Sequence, residues 1–440
     1  MRIRLLTVLL GLTALYGCQQ SNNDSNGSQQ KTPAQPKQQP KPVVADISGQ
    51  WRGVLTSPGG ELPFGIQINK EGSKYTAVII NGDERADTSH VQVNGQQVEI
   101  GFDWYDANIT AKLQSDGSMR GQWRKTASGG KDSVLPFEAT PGYSFRFPLQ
   151  PSAEQPLEVA GSWKVVFTDE DGDSDAVGEF KQTGKMVSGT FLTPTGDYRF
   201  LEGSLDGNSL KMSTFDGAHA FLFTAEWQDG SLHNGNFWSR DSYHATWSAY
   251  PTDKTVAELL PDSWGMVNMT SQDQKVSFAF EDLEGNTVQL SDARFQGKPV
   301  VVNLFGSWCP NCNDEAPVLA DFYRKYHPQG LEIVGLAFEY TGDTARDKKQ
   351  IAAFKQRYDI DYPLLLAGVN DKEEAAKTLG FLDKVVAYPT SIFLDHNHNV
   401  VDIHSGFAGP GTGDHYTKLV AELENRIQQM VAAYQADQGG

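Results

Sequence analysis

The chain has 440 residues, too many for one ordinary domain; at about 150 residues per domain there is room for about three. The composition is that of a globular protein, and a net charge of −18 excludes a surface built to hold nucleic acid or anionic lipid headgroups. Three cysteines, Cys18, Cys309 and Cys312, are too few and too unevenly spaced for a disulfide scaffold.

Arg2 and Arg4 precede an apolar run, Leu5 to Leu15, that is short for a membrane span and gives way to polar sequence, the pattern of a secretory signal. Leu15-Tyr16-Gly17-Cys18 resembles a bacterial lipobox. Residues 1–18 are therefore expected to be a lipoprotein signal peptide, with Cys18 lipidated, so that the membrane is a partner through lipid chains and not through a span. The expected location is extracytoplasmic. Gln19 after the cysteine points, in a Gram-negative host, to the outer membrane facing the periplasm. Residues 19–46, rich in Gln, Pro, Lys, Ser and Asn, cannot bury enough surface to offset their ordering entropy and read as a disordered linker.

From residue 47 to 252 the pattern is all-β: short alternating runs such as Leu62–Ile68, Tyr75–Ile80, Val98–Phe102 and Ile109–Leu113, punctuated by Gly, Asn-Gly and Asp-Gly. An internal repeat is visible. Gly49-Gln50-Trp51, Gly82-Asp83-Glu84-Arg85, Phe102-Asp103 and Asp116-Gly117-Ser118 recur in the same order as Gly161-Ser162-Trp163, Gly196-Asp197-Tyr198-Arg199, Phe215-Asp216 and Asp229-Gly230-Ser231. Two tandem β repeats, 47–143 and 156–252, are predicted, each with room for about eight strands in an up-and-down barrel or small sandwich. The acidic run Asp169–Asp175 lacks the glycine and glutamate that an EF-hand loop needs at its sixth and twelfth positions, and reads as a solvated hairpin turn.

Residues 260–440 change texture again. Val300–Phe305 and Leu331–Phe338 read as buried strands, Pro310–Tyr326, Arg346–Tyr358, Glu373–Leu379 and His415–Tyr434 as helices, and Ser391–Leu394 with Val400–His404 as a strand pair. This alternation predicts an α/β domain with a largely parallel central sheet. Trp308-Cys309-Pro310-Asn311-Cys312 falls where the first of these strands meets its helix. There the free N–H groups and positive dipole end favour negative charge on the Cys309 sulfur, Pro310 suits the first helical position, and Cys312 lies on the same face. Cys309 is expected to be the exposed nucleophile and Cys312 the buried resolving thiol. Zinc would need two more ligands, and a disulfide closing so small a loop would stabilise little. No metal or cofactor is expected.

Gly297-Lys298-Pro299 with the strand that follows, Trp308–Cys312, Glu315-Ala316-Pro317 and Tyr388-Pro389-Thr390-Ser391 together resemble the TlpA/ResA-like branch of the thioredoxin superfamily over about 272–432. The resemblance implies a thioredoxin-like domain acting as a thiol–disulfide oxidoreductase, most often a reductase. It implies Pro389 as a cis-proline facing the redox disulfide of Cys309 and Cys312, and Glu315 as the acid that tunes the pair and relays protons. It also implies substrate contacts at Trp308, Tyr388 and Thr390, disulfide-bearing protein substrates, and a membrane thiol-electron donor of the DsbD/CcdA kind. Two other readings remain at this point: a ligand- or partner-binding lipoprotein in which the barrels are primary, and a peroxiredoxin-like thiol peroxidase. The second lacks the Pro-x-x-x-Thr/Ser-x-x-Cys arrangement before Cys309.

Overall fold

The computed structural model describes residues 46–142, 145–150, 157–271 and 275–438. The signal segment, Cys18 and all but the last residue of the linker lie outside the described residues.

The first β unit comprises β1 (Gly49–Ser57), β2 (Gly60–Glu71), β3 (Lys74–Asn81), β4 (Glu84–Asp87), β5 (His90–Asn94), β6 (Gln97–Phe102), β7 (Ala107–Leu113), β8 (Met119–Thr126) and β9 (Asp132–Pro141). Their hydrogen-bonded order is β2-β1-β9-β8-β7-β6-β5-β3-β4, and β2 also pairs with β3. The sheet therefore closes into an eight-stranded barrel with β4 attached to β3 as a short arm. Closure leaves no free edge among the eight. The second unit, β10 (Gly161–Asp169), β11 (Gly172–Thr183), β12 (Met186–Thr193), β13 (Gly196–Asp197), β14 (Leu201–Asp206), β15 (Ser209–Phe215), β16 (Ala220–Gln228), β17 (Ser231–Ser239) and β18 (Tyr243–Pro251), has the same strand order, with β11–β12 closing it and β13 as its arm. Barrels, not sandwiches, are what form. The acidic run lies in the β10–β11 hairpin and its turn, where Asp171 N–H bonds the Asp169 carboxylate.

The strands alternate buried and exposed residues, as β9 does along its length, so each wall turns one face inward. Gly49 and Gly161 open the first strands at φ 122° and 114°, in the region that favours glycine. Two residues later Trp51 and Trp163 each donate an indole N–H, at 2.9 Å, to the carbonyl four residues upstream, Ile47 and Val159. The interiors are filled with side chains. Phe167, Phe191, Phe223, Phe237 and Trp247 pack ring against ring in the second barrel. The core of the first takes in Phe215, Ala218, Ala220 and Leu222 of the second: Phe215, fully buried, lies 4.4 Å from the Phe64 ring and edge-on to Phe102 and Trp123.

Arg146, between the barrels, is a second staple. Its buried guanidinium donates to the carbonyls of Pro63 and Ile80 in the first barrel and Ser213 in the second, and pairs with Glu202 at 2.9 Å. Arg199 joins all three bodies. It pairs with Glu84 of the first barrel (2.6 Å), Asp216 of the second (2.9 Å) and Asp314 of the C-terminal domain (2.7 Å).

The C-terminal domain follows a single helical turn, α1 (Val256–Leu259). It contains β19 (Ala279–Asp282), β20 (Thr287–Gln289), β21 (Val300–Phe305), α2 (Pro310–Tyr326), β22 (Glu332–Glu339), α3 (Thr344–Arg357), β23 (Leu364–Val369), α4 (Lys372–Leu379), β24 (Thr390–Leu394), β25 (Val400–Ser405) and α5 (Asp414–Gln438). The sheet order is β20-β19-β23-β22-β21-β24-β25. Only β21–β22 and β22–β23 are parallel, and the flanking pairs are antiparallel. The sheet is thus less parallel than the sequence pattern implied. The pattern also missed β23, whose Leu-Leu-Leu-Ala-Gly-Val run has no periodicity to separate strand from helix, and the polar hairpin β19–β20. Among the described residues no helix is long and apolar enough to cross a membrane.

Because Phe215 belongs to one barrel and fills the other, Phe215→Ala is expected to destabilise both together. The loss should be about 3–5 kcal/mol, the usual cost of truncating a buried phenylalanine. Denaturant titration followed by tryptophan fluorescence checks this; a loss confined to one of two separable transitions would contradict the shared core.

Candidate active site

The site begins with β21, buried at every position in the middle of the sheet. The chain leaves it through Gly306–Cys309 and enters α2, with Cys309 as the N-cap at φ −85° and Pro310 in the first turn. Cys309 Sγ accepts a hydrogen bond from the Cys312 N–H at 3.3 Å, so a free amide in the first turn of the helix points at the sulfur. On its other side the same sulfur lies 3.3 Å from the Tyr388 carbonyl. Tyr388–Pro389 is a cis peptide bond, which brings this carbonyl loop against the start of α2. Both cysteines stand as free thiols.

Cys309 is 4% exposed and Cys312 1%. This corrects the expectation of an exposed Cys309. Trp308 stacks on Tyr340 with ring centroids 4.5 Å apart and meets Tyr388 edge-on at 5.8 Å, so three aromatic rings crowd the pair. The Trp308 indole is fixed by its N–H bond to the Phe338 carbonyl at 2.8 Å. Thr390 is buried, and its hydroxyl bonds the Ala387 carbonyl and Ser405, bracing the proline loop from within.

Glu315 lies one turn along α2 from Cys312 and is fully enclosed. Its carboxylate accepts from Asn303 Nδ2 at 2.7 Å and Ser391 Oγ at 3.1 Å. Burial pushes its carboxyl up to about 7, against the two hydrogen bonds, which favour the ionised form. Burial also pushes the Cys312 thiol well above its ordinary value, the adjacent Cys309 sulfur adds to this, and the negative charge of Glu315 acts in the same direction.

Several supporting residues escaped the reading of the sequence. Ser307 donates through both N–H and hydroxyl, at 2.8 Å, to the buried Glu339 carboxylate. Asn313 donates to the carbonyls of Ser307 and Cys309 and accepts from the Tyr358 hydroxyl. These bonds lock the turn that presents Cys309. The available signal was a polar residue inside or ending an apolar run: Asn303 in Val300–Phe305, and Glu339 closing β22. Among the described residues, no cluster of three or more His, Cys, Asp or Glu side chains is placed to hold a metal ion.

A dithiol at a strand-to-helix junction, facing a cis-proline across an aromatic rim, defines a thioredoxin-like redox site. Residues 272–403 match the AhpC/TSA family. The chain is 32% identical over 125 residues to the thiol–disulfide oxidoreductase ResA of Bacillus thuringiensis subsp. konkukian, covering 28% of this chain and 64% of that one. It is 30% identical over 140 residues to the thioredoxin-like protein YneN of Bacillus subtilis, covering 32% of this chain and 74% of that one. Among solved structures it is similar to a DsbE-type thiol:disulfide interchange protein of Chlorobium tepidum, with 22% identity, a TM-score of 0.29, and 37% of this chain and 99% of that one covered. The chain belongs, through its C-terminal domain, to the ResA-like thiol–disulfide oxidoreductases of the thioredoxin superfamily.

A glutamate whose folded pKa is raised binds more protons in the native state than in the unfolded one between about pH 4.5 and 7. Its contribution to stability therefore falls as pH rises through that window and is constant above it. Glu315→Gln should lack this loss. Between pH 5 and 8 the stability difference between the two proteins is expected to move in favour of the variant, by on the order of 3 kcal/mol. Denaturant titrations across this range test it; a pH-independent difference would mean that Glu315 does not titrate there.

Proposed function

We propose that the protein is a membrane-tethered extracytoplasmic disulfide reductase acting through Cys309 and Cys312. The observation that carries this reading is the Cys309 sulfur held between the Cys312 amide and the Tyr388 carbonyl, at the first turn of α2 and beside Pro389. The Cys312 amide stabilises negative charge on Cys309. The Cys309 thiolate attacks one sulfur of a substrate disulfide, that bond breaks, and the departing sulfur leaves as a thiolate and takes a proton from water. A mixed disulfide remains on Cys309. Cys312 then loses its proton and attacks Cys309 Sγ, releasing the second substrate thiol and closing the Cys309–Cys312 disulfide. Two electrons pass to the substrate. Glu315, enclosed behind Cys312, serves as the group that tunes that thiol and relays its proton. Trp308 and Tyr388 line the approach, and Thr390 shapes the loop. A thiol donor of the DsbD/CcdA kind restores the dithiol.

The signal pattern, the lipobox at Cys18 and the polar linker support attachment by lipid outside the cytoplasm, at the outer membrane of a Gram-negative host. The recurring sequence landmarks and common strand order support two copies of one β unit, 47–143 and 156–252, ahead of the redox domain at 260–440. Packed barrel interiors weigh against a ligand held inside them.

Cys312→Ala should accumulate a mixed disulfide with a model disulfide substrate, whereas Cys309→Ala should accumulate none and exchange only at the uncatalysed rate. Mass spectrometry under non-reducing conditions reads both, and a trap that stays empty counts against this mechanism. For the direction of flow, the reductase reading expects a potential near thioredoxin's, about −270 mV; one near −120 mV would make the protein an oxidant.

A further inference from the structure

Building on the oxidoreductase reading, we propose that the two barrels form a fixed collar around the Cys309 face, one that admits a disulfide carried on an extended stretch of polypeptide and shuts out disulfides on the surface of folded proteins.

Each rim of the redox motif is held by a different barrel. On the tryptophan side, the β8–β9 loop of the first barrel reaches the redox domain. Gly129 N–H donates to the Tyr340 carbonyl at 3.1 Å and Ser128 Oγ to Asn370 at 3.1 Å. Tyr340 is the ring on which Trp308 stacks, and the buried Lys125 ammonium of β8 lies 5.6 Å from that ring. On the opposite side, the β12–β13 turn of the second barrel reaches the loop after β25. Thr195 O accepts from Phe407 N–H at 3.3 Å, and Asp197 accepts from Gly409 N–H at 2.5 Å. Gly196 lies so close to Asn311, the residue between the cysteines, that a Cβ there would fall 1.9 Å from Asn311 Nδ2.

These contacts do not describe a hinged lid. Both the β8–β9 loop and the β12–β13 turn grow from closed barrels, and the barrels are joined to α2 itself through Arg199 and Asp314. A folded partner needs about 800 Å² of contact on each side to dock stably. On both flanks of the cysteines the residues such a partner would meet, Tyr340 and Asn370 on one side and Asn311, Phe407 and Gly409 on the other, are in contact with the barrels instead. An extended strand needs only the ~4.8 Å spacing of one added strand and pairs through its backbone, so it can carry a disulfide between the rims toward Tyr388 and Cys309.

The test uses the full-length protein, reduced beforehand, in single-turnover exchange. One substrate is a linear peptide closed by a disulfide; the other is a small folded protein with a solvent-exposed disulfide. Each rate is divided by that substrate's rate with dithiothreitol, which removes intrinsic reactivity. The normalised peptide rate should exceed the folded-protein rate by roughly 100-fold, the factor for a folded substrate that must first unfold locally to a form populated at about 1% before its disulfide can pass the fixed rims. Replacing residues 127–131 with Asn-Gly leaves a two-residue turn between the paired Thr126 and Asp132 and removes one rim. This variant should gain about tenfold or more on the folded protein, equivalent to one unit in log rate, with the peptide rate preserved. Equal normalised rates in the native chain overturn the collar, as does a ratio unmoved by the loop replacement. Failure to react with either substrate would instead overturn the oxidoreductase reading on which the collar rests.

Discussion

The Arg199 guanidinium, largely withdrawn from water, faces one carboxylate from each of three bodies: Glu84, Asp216 and Asp314. A buried cation without partners would be prohibitive, and so would the carboxylates without the cation. The cluster is therefore stable only when both barrels and the redox helix are together. Arg199 itself sits at φ 60°, a left-handed conformation uncommon outside glycine, and its N–H is held by the Asp197 side chain at 2.6 Å. Asp197 reaches on to Gly409. The excess of acid has a consequence at its edge: burial, reinforced by Asp197, Glu84 and Asp216, pushes Asp314 up to about 7 despite Arg199.

Asp314 and Glu315 are adjacent on the first turns of α2 and do opposite things. Asp314 turns outward to the barrels through Arg199, and Glu315 turns inward to Asn303 and Ser391 beside the cysteine pair. A helix projects successive side chains about 100° apart, so one short segment can both anchor the β units and face the redox core. The position of the barrels is thereby coupled, through two residues of backbone, to the helix end that carries Cys309 and Cys312. Glu339, held at about 7 by burial, fixes the turn on the other side through Ser307.

The barrels do not behave as separate modules strung before an enzyme. Phe215 completes the core of its neighbour, Arg146 draws carbonyls from both, and the β8–β9 loop of the first and the β12–β13 turn of the second end at the rims of the redox motif. In the first barrel the arm β4 carries Glu84; in the second, β13 is followed directly by Tyr198 and Arg199. The corresponding places in the two strand orders thus contribute an acid from one barrel and the arginine from the other to a single ion cluster, with Arg199 taking the contact to α2.

The family resemblance pointed to Glu315 and Pro389, and the sequence by itself determined what local chemistry dictates: alternating runs and Gly-x-Trp starts for the β units, the strand–turn–helix setting of Cys309 and Cys312, the extent of α2 and the start of α5. Each is a short-range pattern, in which a period, a cap or a spacing constrains neighbours along the chain. Only the tertiary structure decided that the β units close into barrels, that β23 and the β19–β20 hairpin extend the sheet, that Asn303 and Ser391 hold Glu315, and that Cys309 is buried. The Arg199 cluster also lay beyond reach: Glu84, Arg199, Asp216 and Asp314 look like ordinary surface charges in the sequence, and a charge declares itself structural only when folding removes its water and supplies partners from distant segments.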